Sequence, residues 1–394
     1  MESVARVTIG RRAPDGHASR RLRGAQAAVD DERFMAMALE LARRGIGRTA
    51  PNPPVGAVLV RHGRVVGAGF HRRAGAPHAE IEALRRAGEH ARGATLYVTL
   101  EPCNHTGRTP PCCDAILASG IARVVAATTD PNPITHGRGF SRLRRARVPV
   151  TRGVLEASAE ALIAPFRKAV TTGLPLAIGK IGQSLDGKIA TSRGESRWIT
   201  SPAARRRAQA LRHEADAILV GITTVLRDNP RLTARGRRDR PGRPIRVVVD
   251  SRLRIPLSAR CLSGGPPALI ATTWRAARSP KGRALIRRGV DIVALPSRQD
   301  RVPLTPLFQA LARRGLHTVL VEGGGEVLAG ALSERLLDRA VWFIAPRLIG
   351  GRSAPGSLGG TGVRRLADAA WLDDVTVSRA GPDICVEGRV VYPR

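Results

Sequence analysis

The residues best suited to chemistry fall first in one short window. His78-Ala79-Glu80 follow Pro77 at a predicted helix start. Glu101-Pro102-Cys103 close a predicted strand, and Cys112-Cys113 open the next helix. One histidine and two thiolates are a standard set for a catalytic zinc, with the fourth tetrahedral position left to water. The metal brings that water's pKa to about 7, so a nucleophile exists at neutral pH. A glutamate two residues from the histidine can take the water's proton and pass it to departing ammonia, which suits hydrolytic deamination. The spacing departs from the usual Pro-Cys-x-x-Cys, since Thr106 stands three residues after Cys103. Either the loop 104–111 bulges and Cys112 completes the site, or His105 substitutes, or no metal binds. Cys113 is expected to pack inward. His62, His71, His90 and His136 lack such a setting.

A second window is Val321-Glu322-Gly323-Gly324-Gly325-Glu326-Val327-Leu328-Ala329-Gly330, after a predicted strand and opening a helix. Glycines let backbone approach closely, and free amides at a helix N-terminus attract phosphate. It is not the dinucleotide fingerprint, because no βαβ unit carries an acidic residue about twenty positions on.

The elements that must position these residues alternate. A helical face begins at Asp31 with Phe34, Met35, Ala38, Leu39 and Ala42, capped by Asp30 or Asp31. Val55 to Val60 and Val65 to Phe70 flank a His62-Gly63 turn and read as a hairpin. Helix 78–87, strand 95–100, helix 112–119 ended by Gly120, and strand 124–127 follow. Thr171-Thr172-Gly173-Leu174-Pro175 reads as a linker. A second alternating set has strands at 176–181, 217–220, 246–249, 268–270 and 318–321 and a helix at 201–214. The expectation is α/β throughout: a disordered tail over 1–30, one domain over 31–172 and another over 173–394.

Composition narrows the class. The chain has 394 residues, 43% hydrophobic, with no run of about 18 apolar residues, so no membrane-spanning helix is expected. Net charge is +33, but all but four of the 65 basic residues are arginine. That bias runs the length of the chain without the interleaved aromatics of a nucleic-acid stacking platform, so nucleic acid is not the expected partner. Five cysteines, three crowded together, and no signal-peptide core point to a reducing cytoplasm.

Several segments together carry a specific resemblance. Pro51-Asn52-Pro53-Pro54-Val55-Gly56, His71, Gly75-Ala76-Pro77-His78-Ala79-Glu80, the run from Thr99 through Glu101-Pro102-Cys103-Asn104-His105-Thr106-Gly107 to Pro111-Cys112, and Asp130-Pro131-Asn132-Pro133 resemble the deaminase half of the bifunctional riboflavin-biosynthesis deaminase/reductase family. Lys180 to Ala190, Gly194 to Thr200, Val220 to Arg235, Val249-Asp250-Ser251 and Ala345 to Gly351 resemble its reductase half. The resemblance covers about 31–394. Ile134-Thr135-His136-Gly137, Arg227 and Asn229 depart from it.

The resemblance implies a cytidine-deaminase-like three-layer domain followed by a dihydrofolate-reductase-like α/β domain. It implies His78, Cys103 and Cys112 as Zn2+ ligands, Glu80 as the proton carrier and Asn52 as a base contact. It implies NADPH contacts at Gly182, Trp198, Thr224, Asp228 and Ser251, and along Gly324, Gly325, Glu326, Val327, Leu328, Ala329 and Gly330. Substrate contacts are implied at Ser196, Arg212, Leu232, Arg235 and Glu322. The residue types suit these roles. Arg212 and Arg235 can grip a phosphate bidentately, Trp198 offers a flat wall for a nicotinamide, and Asp228 or Glu322 can fix a sugar hydroxyl. The expected substrate is a phosphorylated pyrimidine and the expected assembly a homodimer or homotetramer. The alternative is a zinc deaminase of a nucleic-acid base or free nucleoside with a non-catalytic second domain.

Overall fold

The computed structural model describes residues 16–107, 109–235, 244–297 and 300–393, with side chains from residue 28 onward. The chain divides into two compact units, Met1–Arg44 with Val55–Ala161, and Gly45–Pro54 with Leu162–Arg394.

In the first unit the elements are α1 (Gly16–Arg43), β1 (Gly56–Arg61), β2 (Arg64–Phe70), α2 (Ala79–Ala87), β3 (Thr95–Leu100), α3 (Cys112–Ala118), β4 (Arg123–Thr128), α4 (Arg138–Arg145), β5 (Val150–Arg152) and the start of α5 (Glu156–Thr172). The strands form one sheet ordered β2-β1-β3-β4-β5. The expected hairpin is present: β1 and β2 pair antiparallel, and His62 and Gly63 both take positive φ, as the tightest hairpin turns require. β3, β4 and β5 are parallel.

The two faces of this sheet are packed differently. On one, Gly56 lets α1 lie against the backbone, where a Cβ would come 2.0 Å from the Ala38 carbonyl. On the other, Ala57, Leu59, Leu96, Val98, Val124 and Ala126 meet α2, α3 and α4 through Ala83, Ile116, Phe140 and Leu143. Strand alternation sends successive side chains to opposite faces, and three layers result. The tail expectation is corrected here. α1 begins at Gly16, not at an Asp30 or Asp31 cap, so residues 16–30 are helical, while 1–15 lie outside the described residues.

The second unit continues with β6 (Leu176–Ser184), α6 (Pro202–Glu214), β7 (Ala217–Gly221), α7 (Ile222–Asp228), β8 (Ile245–Val249), β9 (Ala268–Thr273), α8 (Trp274–Ala277), α9 (Pro280–Arg287), β10 (Asp291–Leu295), α10 (Leu304–Arg313), β11 (Thr318–Glu322), α11 (Gly325–Ser333), β12 (Arg339–Ala345), β13 (Trp371–Ala380) and β14 (Asp383–Val391). The expected linker around Thr172 coincides with the end of α5, and the compact units divide within that helix.

The sheet order is β10-β9-β8-β7-β11-β6-β12-β14-β13. Strands from β10 to β12 are parallel, and β14 and β13 add an antiparallel edge. The central strands are almost wholly apolar because helices cover both faces: α10 and α11 through Phe308, Leu311 and Leu328 on one, α7 and α9 through Val225 and Leu285 on the other. Ser201 starts α6 as expected, its hydroxyl accepting from the Ala204 amide. No helix of the described residues is long and apolar enough to cross a membrane.

Candidate functional site

Three elements of the first unit converge on one point. His78 sits in extended backbone as the N-cap of α2, Cys103 lies just past the end of β3, and Cys112 opens α3. Their donor atoms all lie within 4.8 Å of one another. His78 Nδ1 is 3.2 Å from Cys112 Sγ and 3.6 Å from Cys103 Sγ, and the Cys112 amide donates to Cys103 Sγ at 3.3 Å.

Among the described residues the side chains favour Cys112 over His105 as the third donor. Cys112 joins the cluster, while His105 Nδ1 pairs with the Thr135 hydroxyl at 3.4 Å. Cys113 packs into the core beside Ile116, and its thiol donates to the Pro102 carbonyl. One nitrogen and two sulfurs at this separation fit a tetrahedral zinc. Glu80, in the first turn of α2, is 3% exposed.

The electrostatics of the cluster are coupled. The hydrogen bond from Cys112, aided by His78, holds the Cys103 thiol well below the usual thiol range. The same contact, with burial, pushes Cys112 up, and the Cys103 contact raises His78. Burial pushes Glu80 up against the pull of His78, as a proton carrier requires. Asn52 belongs to Gly45–Pro54, which groups with the second unit and not with the unit that holds this cluster.

The second unit opens a cleft of 2280 Å³ at the carboxyl ends of β6, β7, β8 and β11, where ligands bind in open α/β sheets. Of the residues expected in this unit, Gly182, Ser196, Trp198, Arg212, Thr224, Asp228, Leu232, Arg235, Ser251, Glu322, Gly324, Gly325, Glu326, Val327, Leu328 and Gly330 line it; Ala329 does not. Gly323 and Gly324 turn with φ of 71° and 80°, and α11 starts at Gly325. A Cβ on Gly324 would come 3.3 Å from Thr224 Oγ1, so a hydroxyl, bare glycine backbone and a helix start face one space. This fits a phosphate-bearing cofactor.

Arg212 differs from expectation in its geometry. Its Nε donates to Glu322 Oε1 at 2.9 Å, Nη2 bonds Oε2, and Nη1 donates to the Thr233 carbonyl at 3.0 Å. The fork thus holds a buried carboxylate rather than facing open space. Burial opposes charge on Glu322, but Lys180 and Arg212 more than offset it and hold the carboxyl at about 2.

Ser196 donates to Asp228 Oδ1 at 3.1 Å. Trp198 is 58% exposed, and the Arg205 guanidinium lies 4.4 Å from its ring as a cation–π pair. The Ser251 hydroxyl accepts from the Val302 amide at 3.0 Å. The backbone of Arg235 is tied by Gln209 and His213.

Sequence reasoning missed Lys180. Its ammonium lies 3.8 Å from Glu322 in the cleft wall, and burial holds its pKa down against the pull of Glu322. The available signal was scarcity: Lys180 is one of four lysines in a chain that otherwise uses arginine, and lysine is the cation whose proton burial can loosen.

Comparison with known proteins supports this two-site reading. Residues 28–128 match the cytidine and deoxycytidylate deaminase zinc-binding region, and 175–386 match the RibD C-terminal domain. The riboflavin biosynthesis protein RibD of Escherichia coli is 42% identical, the match covering 91% of this chain and 99% of that protein. That of Aquifex aeolicus is 42% identical over 90% and 97%. Acinetobacter baumannii RibD superposes with a TM-score of 0.83 at 36% identity, covering 93% of this chain and 100% of that one. The Thermotoga maritima diaminohydroxyphosphoribosylaminopyrimidine deaminase/5-amino-6-(5-phosphoribosylamino)uracil reductase gives 0.79 at 36% identity with the same coverage. Matches of this extent in both halves do not favour a nucleic-acid deaminase with a silent second domain. This chain belongs to the RibD family of riboflavin biosynthesis, a zinc-binding deaminase domain and a pyrimidine reductase domain in one polypeptide.

Proposed function

We propose that the first unit deaminates a phosphoribosylamino diaminopyrimidinone and that the second reduces the ribosyl group of the product to ribityl with NADPH. The observation that carries the reading is the convergence of His78, Cys103 and Cys112 beside the buried Glu80, in a chain whose other unit holds a separate cleft. His78, Cys103 and Cys112 would hold zinc, which would acidify the water in its fourth position and so supply the nucleophile at neutral pH. Glu80 takes the proton of the attacking water and delivers it to the departing amine. The bond to ring carbon forms from oxygen, the carbon–nitrogen bond breaks, and ammonia leaves. Burial favours the protonated carboxyl that this second half-step needs.

In the cleft, the turn Gly323 to Gly325 and Thr224 bind the cofactor phosphates, Ser251 and Asp228 its sugars, and Trp198, backed by Arg205, borders the nicotinamide. NADPH supplies the hydride. Lys180 supplies the accompanying proton to the sugar oxygen, and Arg212 holds Glu322 so that the ammonium stays aimed. Because Arg212 is engaged by Glu322, the substrate phosphate falls to Arg235, with Ser196 joining once its hydroxyl turns from Asp228, and Leu232 lies against the ring. Hydride transfer depends chiefly on alignment at near-contact distance, and two cations fixed on one carboxylate provide a rigid reference for it.

The protein acts in the cytoplasm as a homodimer or homotetramer. Supporting assembly, Leu332, Trp342, Leu358, Trp371 and Val390 line an apolar groove of 290 Å³ beside β13, on which Val375 and Val377 are exposed.

The test supplies purified protein with the phosphoribosylated diaminopyrimidinone, without and then with NADPH, and follows ammonia and cofactor absorbance. Ammonia before NADPH, then cofactor oxidation after it, is the expected result. Ammonia without later oxidation overturns the reductase half, and cofactor oxidation before ammonia overturns the order.

A further inference from the structure

Glu101, next to the metal turn, has no part in the chemistry above, yet its carboxylate is heavily engaged. It is 3% exposed and accepts four backbone amides. Oε1 takes those of Gly139 at 2.9 Å and Phe140 at 3.3 Å. Oε2 takes those of Gly137 at 2.9 Å and Asp130 at 3.1 Å. Three of these amides are the N-cap and first turn of α4, whose own cap, Gly137, has no side chain to satisfy them. A carboxylate at a helix start both completes the open donors and complements the dipole. Here it comes from another element, the end of β3.

The clamp brings α4 down on the residue that precedes the metal ligand. Gly139 lies so close that a Cβ there would be 2.0 Å from the Pro102 carbonyl oxygen. That same carbonyl accepts the Cys113 thiol at 3.5 Å, and the thiol also reaches the Gly139 carbonyl at 3.8 Å. Cys113 is bound back to the turn by its amide, which donates to the Cys103 carbonyl at 3.1 Å. Pro102 is thus held between the first turn of α4 and the first turn of α3. Both turns bear on Cys103 from behind, beside the direct hydrogen bond from the Cys112 amide to Cys103 Sγ.

We propose that Glu101 is a positioning residue for the metal site: by clamping the start of α4 over Pro102 it fixes the separation of Cys103 and Cys112. This rests on His78, Cys103 and Cys112 holding zinc. Groups that orient metal ligands from behind typically change metal affinity by about 10-fold to 100-fold when altered. Glutamine at 101 keeps one acceptor but turns an amide NH2 toward two of the four backbone donors, so the clamp loosens without a change of size.

The test uses the full zinc-loaded chain and measures the rate at which zinc passes to an excess of a chromophoric chelator, together with the visible absorption of the cobalt-substituted protein. Glu101→Gln should release zinc at least about ten-fold faster than the parent and shift the cobalt bands. Gly139→Ala, which leaves the carboxylate in place but drives a methyl group against the Pro102 carbonyl, should do the same by a second route. Asp31→Asn is the control. It cuts the buried anchor in which Asp31 accepts from Tyr97 at 2.8 Å and from Arg123, on the opposite face of the sheet. It should lower thermal stability and leave zinc release unchanged.

Release from Glu101→Gln and Gly139→Ala at the parent's rate with the parent's cobalt spectrum would overturn the proposal. So would Asp31→Asn accelerating release equally, since loss of stability alone would then explain the effect. A parent chain that holds no zinc would remove the metal reading itself, and this inference with it.

Discussion

The two sites are built on opposite plans. The donors of the metal cluster lie between His78 and Cys112, two at the starts of helices and one just past the end of a strand of a single five-stranded sheet. The reductase cleft draws on residues from Lys180 to Gly359, gathered from the carboxyl ends of four strands, from α6 and α11, and from the loops between them. In the cluster three donors face one another at near-contact distance. In the cleft the central charges satisfy each other, with Glu322 held by Arg212 and Lys180. A site of the first kind is specified by spacing along the chain, and one of the second kind by strand order.

The comparison is broken most directly by Glu80→Gln. Ammonia release should fall about 10³-fold, within the range for a lost proton carrier, while NADPH oxidation on pre-deaminated substrate stays at the parent rate. Loss of both activities together would mean that the sites are not separate. The converse is Lys180→Met, which should lower the reductase kcat about 100-fold and leave ammonia release untouched. A changed KM at constant kcat would take the proton from Lys180 and leave it a binding role.

The charge plans also differ in sign with pH. Glu322, ordinarily 4.5, is held at about 2: burial opposes its charge, and Lys180 and Arg212 more than compensate. Its contribution is complete above pH 4.5 and is lost as pH falls from 4.5 towards 2. Glu322→Gln should therefore destabilise the protein by about 3 kcal/mol at neutral pH, because two buried cations lose their counter-charge. The deficit against the parent should shrink below pH 4.5.

Asp130 in the first unit is raised, chiefly by burial, from 3.8 to about 6. Its charge costs stability above pH 6, and the cost disappears as pH falls to 3.8. Asp130→Asn should thus be the more stable protein at pH 7 and equal to the parent below pH 3.8. Thermal melts across pH 3–7 for both pairs, read as differences, check the two signs. The smallest effect is expected at Trp198, whose ring already stacks on Arg205. Trp198→Leu should raise the KM for NADPH about five-fold, the equivalent of about 1 kcal/mol.

Much of this is legible in the chain's own order of residues. The hairpin through His62-Gly63, the Ser201 cap of α6 and the helix opening after Gly324 are local events, set by turn chemistry and caps within a few residues. The candidate metal donors are legible for the same reason, and the lengthened segment 104–111 leaves open whether Cys112 closes the site, His105 substitutes or no metal binds. Other features are not. Residues 16–30 carry no apolar period, yet they continue α1. The antiparallel edge β12-β14-β13 escapes notice because its last strand is largely exposed and lacks the apolar run that marks a buried one.

The sequence by itself therefore determined the candidate chemistry: a histidine, two cysteines and a glutamate in a deaminase-like order with a lengthened gap to the second cysteine, and glycines that leave bare backbone at a helix start. Only the tertiary structure decided who satisfies whom. Arg212 holds Glu322 across 110 residues instead of reaching for a phosphate, Lys180 completes the pair, and Glu101 caps a helix 38 residues away. Such pairings depend on which strand ends become neighbours, and sheet order is set by the burial of whole apolar faces, to which no single charged residue testifies.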